Sequence, residues 1–480
     1  MAMPAMASLK LNCQPKYAQR GEEDLHHDGR SNNSGGNMKE KLAIEGGTPV
    51  LKRNDYKNWP VVNEETRFFV NETMESGIFA GGTAPQVTSL EKEWAEYLGV
   101  KHCLTTCSGT AALHMALSAI GAGPGDEIIT SAFTFLASAS CAIHQNAIPV
   151  FVDIDKRTYN MDPAKLEAAI TERTKAIIPV HIQGLPADMD PILEIAKKHN
   201  LFVIEDACQA HGATYKGRKV GTIGHIAAFS LNNFKNLSGG EGGFFVTNDE
   251  TLLRKGSLIR CFGDEVDEVS HRRKYNASIL GYMYRNQELP AAFTRGQLKH
   301  LDEYNDTRIS NAGYLTERIG KIPGVVPPYR PDDCKHVYFM YNVRFNPEEA
   351  GVKCTPREFR TAVEKALYME GVLVGQWQTM PVPAQDIFQS KLGYGGSSYP
   401  WSVNESRGIR YDYSVDNYPV ARDLCDNYTI VHGIHAPNGK DLMEKIASAF
   451  EKVFGDISTV MEHVDDNIFP GADGKLYGAA

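Results

Sequence analysis

The sequence predicts an α/β fold, with a mostly parallel sheet covered by helices on both faces in a large domain at 39–290. A smaller α+β domain follows at 291–480. Three observations predict this. Short apolar runs alternate with amphipathic segments of about 10–15 residues, the pattern of parallel strands joined by crossover helices. The pattern changes near Pro290, where a long helical segment leaves the alternation. The chain has 480 residues, 42% of them hydrophobic and 23% charged, a composition ordinary for a globular protein with room for two domains.

Taken in order, residues 1–38 carry Asn, Ser, Gly and charges with almost no apolar period after Leu11, and read as a disordered extension. Val87, Leu90, Trp94 and Leu98 recur at helical spacing within 86–98. Ser108 reads as an N-cap for a helix carrying Ala111, Leu113, Met115, Ala116 and Leu117, which Gly121 and Gly123 stop. Strand candidates follow at 127–130, 149–153, 176–182, 201–204, 227–231 and 243–247, with helices at 134–145, 162–171 and 188–199 separating the first four. Beyond Pro290 the pattern predicts a helix at 291–319, a strand at 336–345 and a helix at 356–370. In such sheets ligands collect at the carboxyl ends of the strands.

Composition excludes several functions. A net charge of −9 leaves no basic stripe for nucleic acid and no polybasic patch for a membrane surface. No run of about 18 apolar residues exists, and the N-terminus lacks an apolar leader core, so a cytoplasmic protein is expected. The nine cysteines are scattered and read as reduced thiols; Cys103 and Cys107 have no second pair with which to hold a metal, and no metal site is expected. Small molecules and further copies of the chain are the expected partners.

Four local features bear on chemistry. Lys235 stands between two strand-like runs beside Gly239, Gly240, Gly242 and Gly243, where close backbone approach can hold a lysine in a crowded pocket. A desolvated lysine loses its proton and attacks carbonyls; a solvated turn lysine is the commoner alternative. Glu205 and Asp206 end a buried strand, where a charge needs a partner. The segment 106–112 opens a helix with small and hydroxylated residues, suited to a phosphate or merely to a good cap. Phe133 and Phe135 follow a strand, where an aromatic face can stack on a planar ring or join the core. A Schiff-base lysine, an acid for a pyridine nitrogen, an aromatic ring face and a helix start for a phosphate are together the parts that pyridoxal 5'-phosphate (PLP) needs.

The series Gly109-Thr110-Ala111-Ala112-Leu113, then 203–212 (Val-Ile-Glu-Asp-Ala-Cys-Gln-Ala-His-Gly), then 229–243 around Lys235 resembles the motifs of the DegT/DnrJ/EryC1/StrS aminotransferases. Residues 42–50, 179–184 and 282–298 match in the same order, and the resemblance spans about 40–450. It implies the PLP-dependent transferase fold type I and a homodimer with shared active sites. It implies that Lys235 carries the Schiff base and shuttles protons, that Asp206 pairs with the pyridinium nitrogen, that Gln209 faces the 3-hydroxyl and that Phe135 stacks on the ring. Gly109, Thr110 and Ser230 would contact the phosphate, with Arg285 reaching it from the partner subunit. Met283 departs from the asparagine found there in several relatives, which weakens the Arg285 assignment because methionine donates no hydrogen bond.

The implied reaction moves an amino group from glutamate or glutamine to a keto-sugar or keto-cyclitol, in amino-sugar, antibiotic or cell-surface glycan synthesis. Irregular segments at 79–83, 181–183 and 377–383 are the expected acceptor-facing parts. Two alternatives within the family are a PLP-dependent sugar dehydratase, which would replace Lys235 by histidine or add an iron–sulfur set, and a non-catalytic regulator, which would lose Lys235 or Asp206. A nicotinamide oxidoreductase would need a Gly-x-Gly-x-x-Gly turn after the first strand, and the glycines at 121, 123 and 125 lack that spacing.

Overall fold

The computed structural model describes residues 40–81, 84–266 and 273–463, together with the backbone of 468–470 and 476–478. The expected extension at 1–38 lies outside the described residues, as do Gly82 and Thr83 of the first acceptor-facing segment. The central sheet has seven strands: β1 (His102–Thr106), β2 (Glu127–Ser131), β3 (Ile148–Val152), β4 (Thr174–Ile178), β5 (Phe202–Asp206), β6 (Ile226–Ser230) and β7 (Gly243–Thr247). Their order is β1-β7-β6-β5-β4-β2-β3, and β7 alone runs against the others. This is the PLP-dependent transferase fold type I.

Six of the seven strands lie where alternation placed them, and β1 is the one missed. Its residues His-Cys-Leu-Thr-Thr show no alternation because four of the five are buried. A strand packed on both faces loses the period-two signal. The strand expected at 176–182 ends at Ile178, since Pro179 follows and Gln183 turns through a left-handed φ of 56°.

Helices α1 (Glu64–Ser76), α2 (Pro85–Leu98), α3 (Gly109–Ala119), α4 (Ala137–His144) and α5 (Met189–Lys198) flank this sheet or its edges. Trp94 of α2 is fully buried, stacked on Phe244 at 4.9 Å and edge-on to Phe229 at 5.1 Å. Leu113, Met115, Ala116 and Leu117 of α3 fill the opposite face with Ile128, Ile204 and Phe245. Burial of this kind contributes about 1.5–3 kcal/mol for each large apolar side chain.

The single helix expected at 291–319 is two, α6 (Glu288–Leu298) and α7 (Leu301–Ile319), because Lys299 and His300 turn the chain without interrupting the apolar period. Glu288, buried at the start of α6, accepts hydrogen bonds from the Gln86 and Val87 amides and so caps α2. A second core forms around α7 and a four-stranded antiparallel sheet whose longest strand is Tyr341–Phe345. The helix Pro356–Met369 lies close to its expected bounds. Leu42 and Leu51, from before α1, belong to this second core, and buried Glu370 ties that segment down through the Ala43 and Val50 amides and the Lys452 ammonium. Among the described residues no helix is long and apolar enough to cross a membrane.

Candidate active site

Every carboxyl end of the central parallel strands opens on one region, and the chain's chemistry-bearing residues gather there. β5 ends on consecutive carboxylates that point to opposite faces, as neighbours in a strand must. Glu205 turns away from the site. Its oxygens accept from the Gly221, Ile223 and Gly224 amides at 2.6–2.7 Å and from His181 Nε2 at 3.0 Å. Burial would raise its pKa, but the His181 bond and these amides hold the carboxyl below the usual range. His181 is fully buried, and because its Nδ1 accepts from the Ala187 amide, its Nε2 carries the proton donated to Glu205.

Asp206 turns toward the site and is 4% exposed. Its Oδ2 accepts from Ser138 Oγ at 2.6 Å and its Oδ1 from the Cys208 amide at 3.2 Å. Ser138 is itself bonded to Thr134 Oγ1 at 2.8 Å. Two neutral donors orient the carboxylate without neutralising it, so it retains capacity for a cationic partner.

Lys235 follows β6 in a tight turn in which its amide bonds the Asn232 carbonyl. The Nζ lies 4.1 Å from the centroid of the Phe339 ring. Burial lowers the pKa of the ammonium, while Cys208, Asp206 and Glu241 pull in the opposite direction, and the net direction is down. Burial therefore eases loss of the proton that must leave before the amine can act as a nucleophile. Trp59 Nε1 donates to the Lys235 carbonyl at 3.1 Å.

The start of α3 completes the wall. Ser108 Oγ caps the Ala111 amide, whereas the Gly109 and Thr110 amides have no acceptor among the described residues. A Cβ on Gly109 would sit 2.8 Å from both Ser230 Cβ and Cys208 Sγ, so only glycine lets the helix start against β6 and the Asp206 loop. Two free N–H groups at a helix terminus carrying about half a positive charge form an anion site. Ser230 Oγ accepts from the Asn232 amide at 3.3 Å and keeps its own proton to donate.

Gln209 is buried, and its Oε1 accepts from the Gln183 amide at 2.8 Å. Since an amide N–H can meet only an oxygen there, the Gln209 Nε2 remains as the donor. Phe133 and Phe135 divide the two readings of that dipeptide frame between them. Phe133 is 1% exposed and packs edge-on to Trp377 and Tyr428, while Phe135 is 52% exposed, stacked on Trp377 with 18° between planes. Arg285 is half-buried, 6.0 Å from the Phe262 ring, with no carboxylate partner among the described residues. Its neighbour Tyr284 accepts from the Cys107 amide at 2.8 Å, which sets that segment beside the start of α3.

Of the acceptor-facing segments, His181 and Gln183 are buried, as are Pro381, Val382 and Pro383, while Phe79, Ala80, Thr379 and Met380 are exposed and Gly81, Trp377 and Gln378 half-buried. Sequence reasoning missed Ser138, whose only local signal is a hydroxyl four residues after Thr134, and Trp59, which lies 176 residues from its partner and gave no signal.

The arrangement fits PLP on its own geometry. A depressed lysine, an oriented buried carboxylate, an exposed ring face and two unbonded helix-start amides converge on one region.

Relatives carry the same theme. The chain is 40% identical over 364 residues to the spore coat polysaccharide biosynthesis protein SpsC of Bacillus subtilis, covering 74% of this chain and 91% of that protein. It is 34% identical over 425 residues to the L-glutamine:2-deoxy-scyllo-inosose aminotransferase of Micromonospora echinospora, covering 86% and 97%. The crystal structure of 3-amino-5-hydroxybenzoic acid synthase superposes with a TM-score of 0.73 at 29% identity, over 86% of this chain and all of that one. Residues 60–407 match the family profile, and with this fold and this site the chain belongs to the DegT/DnrJ/EryC1/StrS aminotransferase family.

Proposed function

We propose that this enzyme moves the amino group of glutamine or glutamate to the ring ketone of a sugar or cyclitol, using PLP bound at Lys235. The observation that carries the reading is the meeting of a desolvated Lys235 with the oriented carboxylate of Asp206 beside two free helix-start amides. PLP supplies an aldehyde that captures amines and a ring that withdraws electrons. The protein supplies the rest. Lys235 Nζ, whose proton burial loosens, would serve as nucleophile and then accept and return a proton as general base and acid. Asp206 presents negative charge to a protonated ring nitrogen and keeps it protonated. Gln209 Nε2 would donate to the ring oxygen, Phe135 would offer its face, and the Gly109 and Thr110 amides with Ser230 Oγ would hold the phosphate.

Glutamine is the favoured donor and a cyclitol ketone the favoured acceptor, supported by the relative that shares 86% of the chain and is named for both. A homodimer is supported by Phe79, Leu280 and Met283, apolar side chains 45%, 77% and 49% exposed, the last two flanking the segment that carries Arg285. A second copy covering them would bring its Arg285 to the phosphate. The scattered free thiols support the cytoplasm.

One preparation tests the reading. The purified protein should scatter light as twice 53.0 kDa, take up PLP with visible absorbance, and lose that absorbance on adding glutamine. Nitrogen-15 from the α-amino group of glutamine should then appear on a keto-cyclitol or keto-sugar, with the donor left as its keto acid. A colourless protein that takes up no PLP sinks the proposal; label on neither ketone class removes its acceptor half.

A further inference from the structure

Asp206 ends β5 and Lys235 lies in the turn after β6, and one side chain outside both joins the segments that follow them. Asn305 lies on α7 and is fully buried. Its Oδ1 accepts from Asn236 Nδ2 at 2.8 Å, and its Nδ2 donates to the His211 carbonyl at 2.8 Å. Asn236 directly follows Lys235, is 1% exposed, and also donates from Nδ2 to the Val337 carbonyl at 2.9 Å. His211 closes the loop that begins at Asp206 and carries Gln209.

The amide orientations follow from the partners. Flipping Asn305 would set nitrogen against nitrogen and oxygen against oxygen, and flipping Asn236 would set its oxygen against two acceptors. Gly212 makes room for the tie: at φ +82° it has no Cβ, and an added one would stand 2.7 Å from Asn305 Nδ2. One turn further along α7, the Arg308 guanidinium lies 5.0 Å from the Trp59 ring, and that indole holds the Lys235 carbonyl. The same helix therefore reaches the lysine turn twice, once through Asn305 and once through Trp59.

We propose that Asn305 is a positioning residue, setting Lys235 against Asp206 by tying Asn236 to the His211 carbonyl. The inference rests on the reading of Lys235 and Asp206 as partners around PLP. Misplacement of a reacting group by about 1 Å costs up to about 100-fold in rate, so cutting the tie affects turnover more than folding.

Asn311 provides the control. It sits on the same helix, is also buried, and makes two comparable bonds, to the Ile434 and Asn438 carbonyls and not to the segments after Asp206 or Lys235. Asn305→Ala should lower kcat about tenfold or more while KM for the donor stays within about twofold. It should also shift the pH midpoint of the loaded protein's visible absorbance. In the protein without PLP, amide exchange at 235–237 and 211–213 should speed up about tenfold or more. Asn311→Ala should match its loss of melting temperature and change none of the other three. If Asn305→Ala does not fold, Asn236→Ala severs the same tie from the other side and is held to the same results. Wild-type exchange and titration in the Asn305 or Asn236 variant, or equal changes in Asn311→Ala, overturn the proposal. Failure of every form to take up PLP refutes the functional reading instead, while the exchange comparison still decides the tie.

Discussion

The two sides of the site are built differently. On the sheet side, Asp206, Gln209 and Ser230 are each fixed by hydrogen bonds of 2.6–3.3 Å to neighbouring loops, and Gly109 is wedged against Ser230. On the rim, Phe79, Phe135, Met283 and Met380 are all between 44% and 52% exposed, and the Phe135 ring stacks on Trp377. The first side is preorganised, which is what chemistry on a fixed group requires. The second presents faces that a ligand or a second copy must complete. The proposed function accordingly assigns chemistry to the wall and selectivity to the rim.

The largest effect that could break this contrast is at Lys235. Lys235→Ala should fall in turnover by about 10⁴-fold or more, since nucleophile and proton carrier vanish together. Asp206→Asn, which keeps shape and loses charge, should fall by about 10²–10³-fold. Both should melt near the wild-type temperature, because the lysine's burial and depressed pKa make it a cost to the fold. Residual turnover within tenfold of wild type in the lysine variant would show that the wall is not where the chemistry lies.

Glu205 sharpens the comparison from inside the wall. It neighbours Asp206 in sequence, yet all its partners belong to the scaffold. Glu205→Ala should lose about 3–5 kcal/mol of unfolding free energy, because it leaves four donors buried without their acceptor at about 1–3 kcal/mol each before relaxation, with kcat per folded molecule within about threefold. The pH dependence carries the same information. The folded carboxyl titrates below its ordinary 4.5, so the unfolded chain takes up the proton first as pH falls. Its stabilising contribution is complete above about pH 4.5 and disappears as pH drops through the folded value. Urea midpoints measured from pH 6 to pH 3 should therefore fall more steeply in wild type than in the variant. Parallel slopes would remove Glu205 from the account.

What the sequence revealed divides along the same line. Strands β2 to β7, α2 and α3 were legible because each rests on local order, a period or a cap, and Lys235 and Gly109 stood out as candidates by their local setting, whereas Gln209 and the choice of Asp206 came from the family resemblance. β1 escaped because burial on both faces erased its alternation, and the break between α6 and α7 because two turning residues preserved the helical period. Trp59, Ser138 and Asn305 escaped because their partners lie 176, 68 and 94 residues away in sequence. The acidic pair at 205–206 was visible, but which carboxylate faced the site depended on the strand's pleat and on loops that meet it from elsewhere. His181 and Gln183 were expected to face the acceptor, and only the fold shows both residues buried, with His181 Nε2 bonded to Glu205 and the Gln183 amide to Gln209.

The smallest effect is expected at the rim, and it separates two residues, Phe133 and Phe135, that only the family resemblance tells apart in the sequence. Phe135→Leu removes an exposed ring face while keeping an apolar side chain, so it should weaken PLP binding by about threefold to tenfold, from an aromatic contact worth about 0.5–1.5 kcal/mol. Its melting temperature should stay within about 2 °C of wild type, because half of the ring is already in solvent. Phe133→Leu, from a ring packed edge-on to Trp377 and Tyr428, should reverse the pattern. It should lose about 1–3 kcal/mol of stability through imperfect repacking and leave PLP affinity within about twofold. PLP titrations followed by visible absorbance, with urea denaturation of the same two variants, decide the matter. Equal stability losses in both would mean that Phe135 is part of the scaffold, and that the line between wall and rim lies further out than its exposure suggests.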